Sequence, residues 1–431
     1  MTLPSPDQPP VIATGGVALG KRIVGFALIP FLSLLAPFIF LPILARAAGN
    51  DVWVAIALGQ SVGGMAALVA GFGYPTLAPP MVAMASVAGR RRLLATSVHV
   101  RLPVWAVAAV VATVAAVLVA PDTSRLEAGA MAGAMSLAAL APTWYWIGVG
   151  RALPILWYEV LPRMAATLIA TGILLLDGSV MWYPVLLAVA MVAGPAYVYV
   201  RNARAELVTV DRDDVRQVWR HHPPAVIAES SAGVYNSLAV AIVTLVAPLA
   251  QAATYVSGDK TYRIGQYSVG ALGNALQGWV VEAREEGFAR RLRIVVGLHV
   301  SLGVVGLAAF GLLGPWLTDL LFGANVAIDR ATAWGFGVAI LGIAVGTVFG
   351  RIGLIAIGAR KAFMSCVVAA SAVGAVGLFT GGALWGASGA AWALGGTELA
   401  SGLAQATVLS VLWRRRLREG KALLPLSATT A

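Results

Sequence analysis

Charge is scarce in this sequence: only 11% of its 431 residues are Asp, Glu, Lys or Arg, against about 25% in soluble domains. With 59% apolar residues and a mean hydropathy of +0.84, that deficit excludes a water-soluble globular chain. No soluble core of this length uses so many apolar side chains. Cysteine is almost missing, and the single Cys366 lies in an apolar stretch, which excludes an intramolecular disulfide and suggests no metal site. The four histidines (His99, His221, His222 and His299) show no metal-ligand spacing. The glycine-rich stretches lack the Lys-Ser/Thr of a phosphate-binding loop, so nucleotide hydrolysis is not implied. No enzyme signature is left, and neither a cofactor nor a metal is expected. Residues 1–20 have no basic segment and no apolar segment ahead of a cleavage site, so they read as a retained tail.

Glycine and proline, by contrast, are abundant, at 48 and 22 residues. In water they would suggest loops, but in a bilayer glycine allows close helix contact and proline is tolerated inside spans. A spanning helix needs about 20 mostly apolar residues. Such runs occur at 23–46, 53–74, 102–120, 126–148, 153–176 and 181–200 in the first half. The second half supplies 224–248, 250–280, 294–314, 331–356, 362–381 and 386–413. Between the second and third, 75–89 reads as a short interfacial helix.

The basic residues test this count. With both termini inside, 23 of the 30 Lys and Arg fall in inner segments and only Arg46, Arg125 and Arg330 in outer ones. The other four, Arg163, Lys260, Arg263 and Arg351, lie within spans. That asymmetry puts both ends in the cytoplasm, and it explains the net charge of +11 without any nucleic-acid partner.

The longest polar stretch, 201–222, separates two six-span halves, and its Leu207, Val210, Val215 and Val218 predict a surface helix or a solvated linker. The expected organisation is a tail (1–22), a six-helix lobe (23–200), a linker (201–223), a second six-helix lobe (224–413) and a tail (414–431). Three short matches favour duplication: PILARAAG (42–49) with APLAQAAT (247–254), GQSVGG (59–64) with GQYSVGA (265–271), and IGVGRA (147–152) with IAIGARKA (355–362). Halves with an even number of spans are parallel repeats, which place a substrate site between two bundles. The fold class expected is therefore all-α: a polytopic membrane protein of about 12 helices in two lobes around a central cavity.

Ionisable groups within spans are costly and so mark candidate sites. The eighth span is the densest, with SGDKTYRIGQY at 257–267. Lys260 and Arg263, three apart, project from nearly one face, and Asp259 lies about 100° round from Lys260. Entering at Ala250, Lys260 is about 15 Å deep. The pair reads as an anion site, or as a charge neutralised by Asp259 and a carboxylate elsewhere. Glu159 and Arg163 are four apart in the favourable order for local pairing. Arg351 either snorkels to headgroups or lines a cavity. Arg46 ends a first span bent by Pro30, Pro37 and Pro42. Glu229 and Glu398 could each carry a coupling proton or bond a neighbouring Arg.

Four segments together carry a family resemblance. APFIFLPILARAAGNDVWVAIALGQSVGGMAALVAGFGYPTLAP (36–79) and PTWYWIGVGRALPILWYEVLPRM (142–164) resemble the first spans and the fourth-to-fifth span motif of bacterial polysaccharide and O-antigen flippases. APLAQAATYVSGDKTYRIGQ (247–266) resembles their charged eighth span, and GASGAAWALGGTELASGL (386–403), with Glu398, their last. These flippases belong to the multidrug/oligosaccharidyl-lipid/polysaccharide exporter superfamily. Val52-Trp53 departs from the Gly-Tyr common there.

The resemblance implies two six-helix lobes around a cationic cavity, in the bacterial cytoplasmic membrane. The implied cargo is an undecaprenyl-pyrophosphate-linked oligosaccharide, with membrane lipids and the polysaccharide polymerase machinery as partners. Lys260 and Arg263 would then contact the pyrophosphate, with Arg46, Arg351 and Arg163 as further substrate contacts. An inside-negative potential favours outward movement of the anion by about 2.3 kcal/mol per charge per 100 mV. Rival readings are an ion-coupled multidrug exporter of the same superfamily, a major-facilitator carrier suggested by GRRR (89–92), and a membrane scaffold without transport.

Overall fold

The computed structural model describes residues 37–205, 210–282, 284–420 and 422–424. The described residues are overwhelmingly helical and include no strand. The chain divides into two compact units, Met1–Gly233 and Val234–Ala431.

The first unit holds α1 (Pro37–Ala47), α2 (Gly49–Ala70), α3 (Tyr74–Met84), α4 (Val87–Val119), α5 (Arg125–Ser136) and α6 (Thr143–Val149). It continues with α7 (Leu153–Leu175), α8 (Trp182–Ala205) and α9 (Arg212–His221). Next, α10 (Pro223–Val246) crosses the boundary between units. The second unit holds α11 (Leu249–Glu282), α12 (Arg284–Phe322), α13 (Arg330–Leu354) and α14 (Arg360–Arg418).

Among the described residues, seven helices are long and apolar enough to cross a membrane. The difference from the twelve expected spans has identifiable causes. Residues 23–36 of the first span lie outside the described residues. The fourth span is broken between α5 and α6, and α11 carries Asp259, Lys260 and Arg263 in its first half. α14 spans 59 residues but is two helices joined at Gly386, whose φ of +59° suits only glycine. Gly381 and Gly389, which a continuous helix would hold about 12 Å apart, meet backbone to backbone instead. A Cβ on Gly389 would lie 2.1 Å from the Gly381 carbonyl oxygen. The chain therefore turns back here, as the expected spans 362–381 and 386–413 require. The result is a multi-pass helical membrane protein.

Side-chain caps set several helix starts. Ser86 accepts from Gly89 N–H (3.2 Å) ahead of α4, and Asp329 accepts from Thr332 N–H (2.7 Å) ahead of α13. Small residues set the packing: Cβ atoms on Gly59 and Gly63 of α2 would lie 2.5 and 2.4 Å from the Ala128 and Ala132 carbonyls of α5. The stretch expected at the interface, 75–89, is helical over Tyr74–Met84. The polar stretch is helical over Arg212–His221, and this α9 packs on the first unit. Arg92 of α4 pairs with Asp214, Trp219 packs on Phe72 at 4.7 Å, and His222 Nδ1 donates to the Phe72 carbonyl at 2.8 Å. Leu207 lies outside the described residues.

Of the three internal matches, the third is matched in backbone: Gly150 and Gly358 have φ of +77° and +76° at corresponding turns. The first is not, because 42–47 closes α1 whereas Leu249 opens α11.

Candidate functional site

The second unit builds its polar cluster on α11. Tyr255, Asp259 and Tyr262 follow one another at intervals of four and three, so they share a helix face, and all three are buried. The absence of a side chain at Gly258 makes room for Phe336 of α13, whose ring lies 5.3 Å from Tyr255 and 5.5 Å from Tyr262. Asp259 forms an ion pair with Arg263 one turn on, Oδ2 to Nε at 2.9 Å. Lys260, next to Asp259, is half-buried. The expected cation pair on one face is thus modified. Arg263 turns to Asp259, since a buried carboxylate without a partner costs far more than a paired one. Asp259, Lys260 and Arg263 together keep one net positive charge. Among the described residues, the buried hydroxyls of Tyr255 and Tyr262 have no hydrogen-bond partner.

Glu398, in the second half of α14, accepts a hydrogen bond from the Tyr235 hydroxyl of α10. The arginine expected as its neighbour is replaced by a tyrosine, and glycines explain why. Gly342 of α13 lets the Glu398 backbone approach, and Gly374 gives the Tyr235 ring its place. Arg351 is exposed and donates to Asn274 of α11. It lies in a π-helical stretch of α13, Thr347–Leu354. The Glu229 side chain lies outside the described residues.

In the first unit, Pro162 has no N–H to offer the Tyr158 carbonyl, and α7 opens into a π-helical stretch over Leu156–Val160. Glu159 is buried there and accepts from Thr143 Oγ1, at the start of α6. Arg163 donates from Nε to the main-chain carbonyl of Glu159 at 2.8 Å. The expected pairing of their side chains is therefore not made: the carboxylate goes to Thr143 and the guanidinium to the backbone. Arg46 is exposed at the end of α1.

Sequence reasoning missed Arg101, counted among the inner-loop cations. α4 starts at Val87, so Arg101 lies about 21 Å along the helix, and it is 1% exposed. The uninterrupted helical run from Val87 was the available signal. It missed Tyr255 and Tyr262 as well, although their spacing with Asp259 was readable. Tyr235 gave no signal, because its partner is 163 residues away.

The chain matches no known protein-family profile and no curated protein sequence. Its fold does match solved structures. One is a multidrug resistance MATE family transporter of the MOP superfamily in an inward-facing conformation (TM-score 0.72, 12% identity, 92% of this chain and 99% of that one). Another is the lipid II flippase MurJ, inward closed (TM-score 0.71, 9% identity, 90% and 87% of the chains). A third is a MOP superfamily transporter from Pyrococcus furiosus, described as having a binding pocket of reversed polarity (TM-score 0.62, 13% identity, 92% and 96%). The chain has the helical fold of MATE and MurJ transporters.

Proposed function

We propose that this protein moves an undecaprenyl-pyrophosphate-linked oligosaccharide from the inner to the outer leaflet of the bacterial cytoplasmic membrane by alternating access, for surface polysaccharide biosynthesis. The observation that carries the reading is the cluster of Asp259, Lys260 and Arg263, two cations to one carboxylate, in the first half of the long helix α11. A charge there is too costly to keep without a use. The MurJ-like fold supports a lipid-linked cargo, and so does the resemblance of 247–266 to polysaccharide flippases. On this reading the lipid tail stays in the bilayer while Lys260 and Arg263 meet the pyrophosphate, with Arg46, Arg163 and Arg351 as further contacts. Both termini lie in the cytoplasm, and membrane lipids and the polymerase machinery are the partners.

The test is a deletion strain. Lipid-linked oligosaccharide is expected to accumulate on the cytoplasmic leaflet, with surface glycan lost; normal glycan in the deletion strain refutes the reading. A second reading, ion-coupled multidrug export, draws on the half-buried Glu398 and its hydrogen bond from Tyr235, and on the MATE-like fold. Lys260→Gln is expected to abolish glycan export while Glu398→Gln only weakens it. The reverse order, with drug sensitivity, favours the exporter.

A further inference from the structure

The break in the fourth span leaves backbone acceptors exposed within the helical bundle of the first unit. α5 ends in a 3₁₀ turn over Leu137–Leu140, and Ala141 is extended (ψ 136°) before Pro142, which has no N–H to donate. The carbonyls of Ala139, Leu140 and Ala141 therefore lose helical partners at the negative end of the α5 dipole. All three are met by side chains. Arg101 Nη1 donates to Ala139 O at 2.6 Å and to Ala141 O at 3.3 Å. Arg101 Nη2 donates to the Tyr199 hydroxyl at 2.5 Å, and that hydroxyl donates to Leu140 O at 2.9 Å. Ser97 takes the other donors, its carbonyl from Nε at 3.4 Å and its hydroxyl from Nη2 at 3.2 Å. The guanidinium carbon also lies over the rings of Tyr74 (5.2 Å) and Trp144 (5.5 Å).

Among the described residues, every hydrogen-bond partner of this buried cation is neutral and no carboxylate forms an ion pair with it, the Glu159 carboxylate acting on it only at longer range. Broken transporter helices commonly turn such carbonyl ends toward a mobile Na⁺ or H⁺. Here the same acceptors enclose a side chain. We propose that Arg101 is a tethered cation that occupies the carbonyl-lined break between α5 and α6 in place of a mobile coupling ion. It is a positioning residue. By holding Ala139–Ala141 it fixes the start of α6, where Thr143 meets the buried Glu159. A coupling ion, if transport uses one, is then bound elsewhere.

The proposal is independent of the cargo and can be tested on the purified full chain in detergent. Arg101→Ala is expected to unfold at a lower temperature than the parent. Methylguanidinium, far below denaturing concentrations, should restore part of the loss, because it refills the donor geometry. Tetramethylammonium at equal ionic strength should not, and the parent protein should respond to neither. A variant as stable as the parent, or equal rescue by both cations, overturns the proposal. Should Arg101→Ala not fold, Arg101→Lys keeps the charge but lacks the planar fork. Its amide hydrogen exchange is expected to rise several-fold over 143–149 while 49–70 stays unchanged. Unchanged exchange at 143–149, or a uniform rise across the chain, overturns it.

Discussion

Asp259 and Arg263 show how a helical interval becomes an energetic constraint. The carboxylate is 1% exposed and the guanidinium one turn away is its partner at 2.9 Å. Removing one partner strands a charge, at a cost on the order of 3 kcal/mol, whereas removing both does not. Arg263→Gln, which strands the buried carboxylate, is therefore expected to lower the unfolding temperature more than the double change Arg263→Gln with Asp259→Asn, as read by thermal unfolding in detergent. Tyr235→Phe takes the donor from Glu398, a loss of about 1–3 kcal/mol, and Glu398→Gln in the same background should recover part of it. At this scale the sequence was uneven. The α11 cluster was legible because three charges within five residues stand out in an apolar span. The Tyr235–Glu398 contact and the carbonyl cradle of Arg101 were not legible, because both depend on residues from separate helices meeting in space.

At the scale of helices, the bilayer makes much of the architecture readable. A hydrocarbon core demands runs of a set length with their backbone bonded internally, so α7 and α13 fall within two residues of the expected spans, while α4 and α12 extend well beyond theirs. Breaks within spans are a different matter, since they arise from what surrounds each proline. α4 runs unbroken through Pro103, whereas Pro142 separates α5 from α6. Pro162 follows the π-helical stretch of α7, and the strand of backbone it loosens is covered by Gly194 of α8. A Cβ on Gly194 would lie 1.7 Å from the Tyr158 carbonyl oxygen. Gly194→Ala is thus expected to destabilise the protein by about 1–3 kcal/mol, against little effect at Gly172, which has nothing within 4 Å of its Cβ. Parallel unfolding measurements on the two variants check this.

For the molecule as a whole, the fold is that of MATE and MurJ transporters at only 9–12% identity. Such a fold survives because hydropathy and small-residue packing, rather than particular side chains, specify it. The distribution of the 30 basic residues predicts sidedness, with both ends in the cytoplasm. Green fluorescent protein fused after Ala431 should fluoresce, and alkaline phosphatase fused there should be inactive; the opposite result inverts the topology. The hairpin at Gly386 bears on how the protein is made. Gly374, Gly377 and Gly381 in the first half of α14 lie against Thr397, Ala393 and Gly389 in the second, so each of these two spans supplies packing surface to the other. They are expected to enter the bilayer as a pair, and a chain truncated at Trp385 should leave the membrane-embedded glycine seam of its last helix bare and be cleared by quality-control proteases.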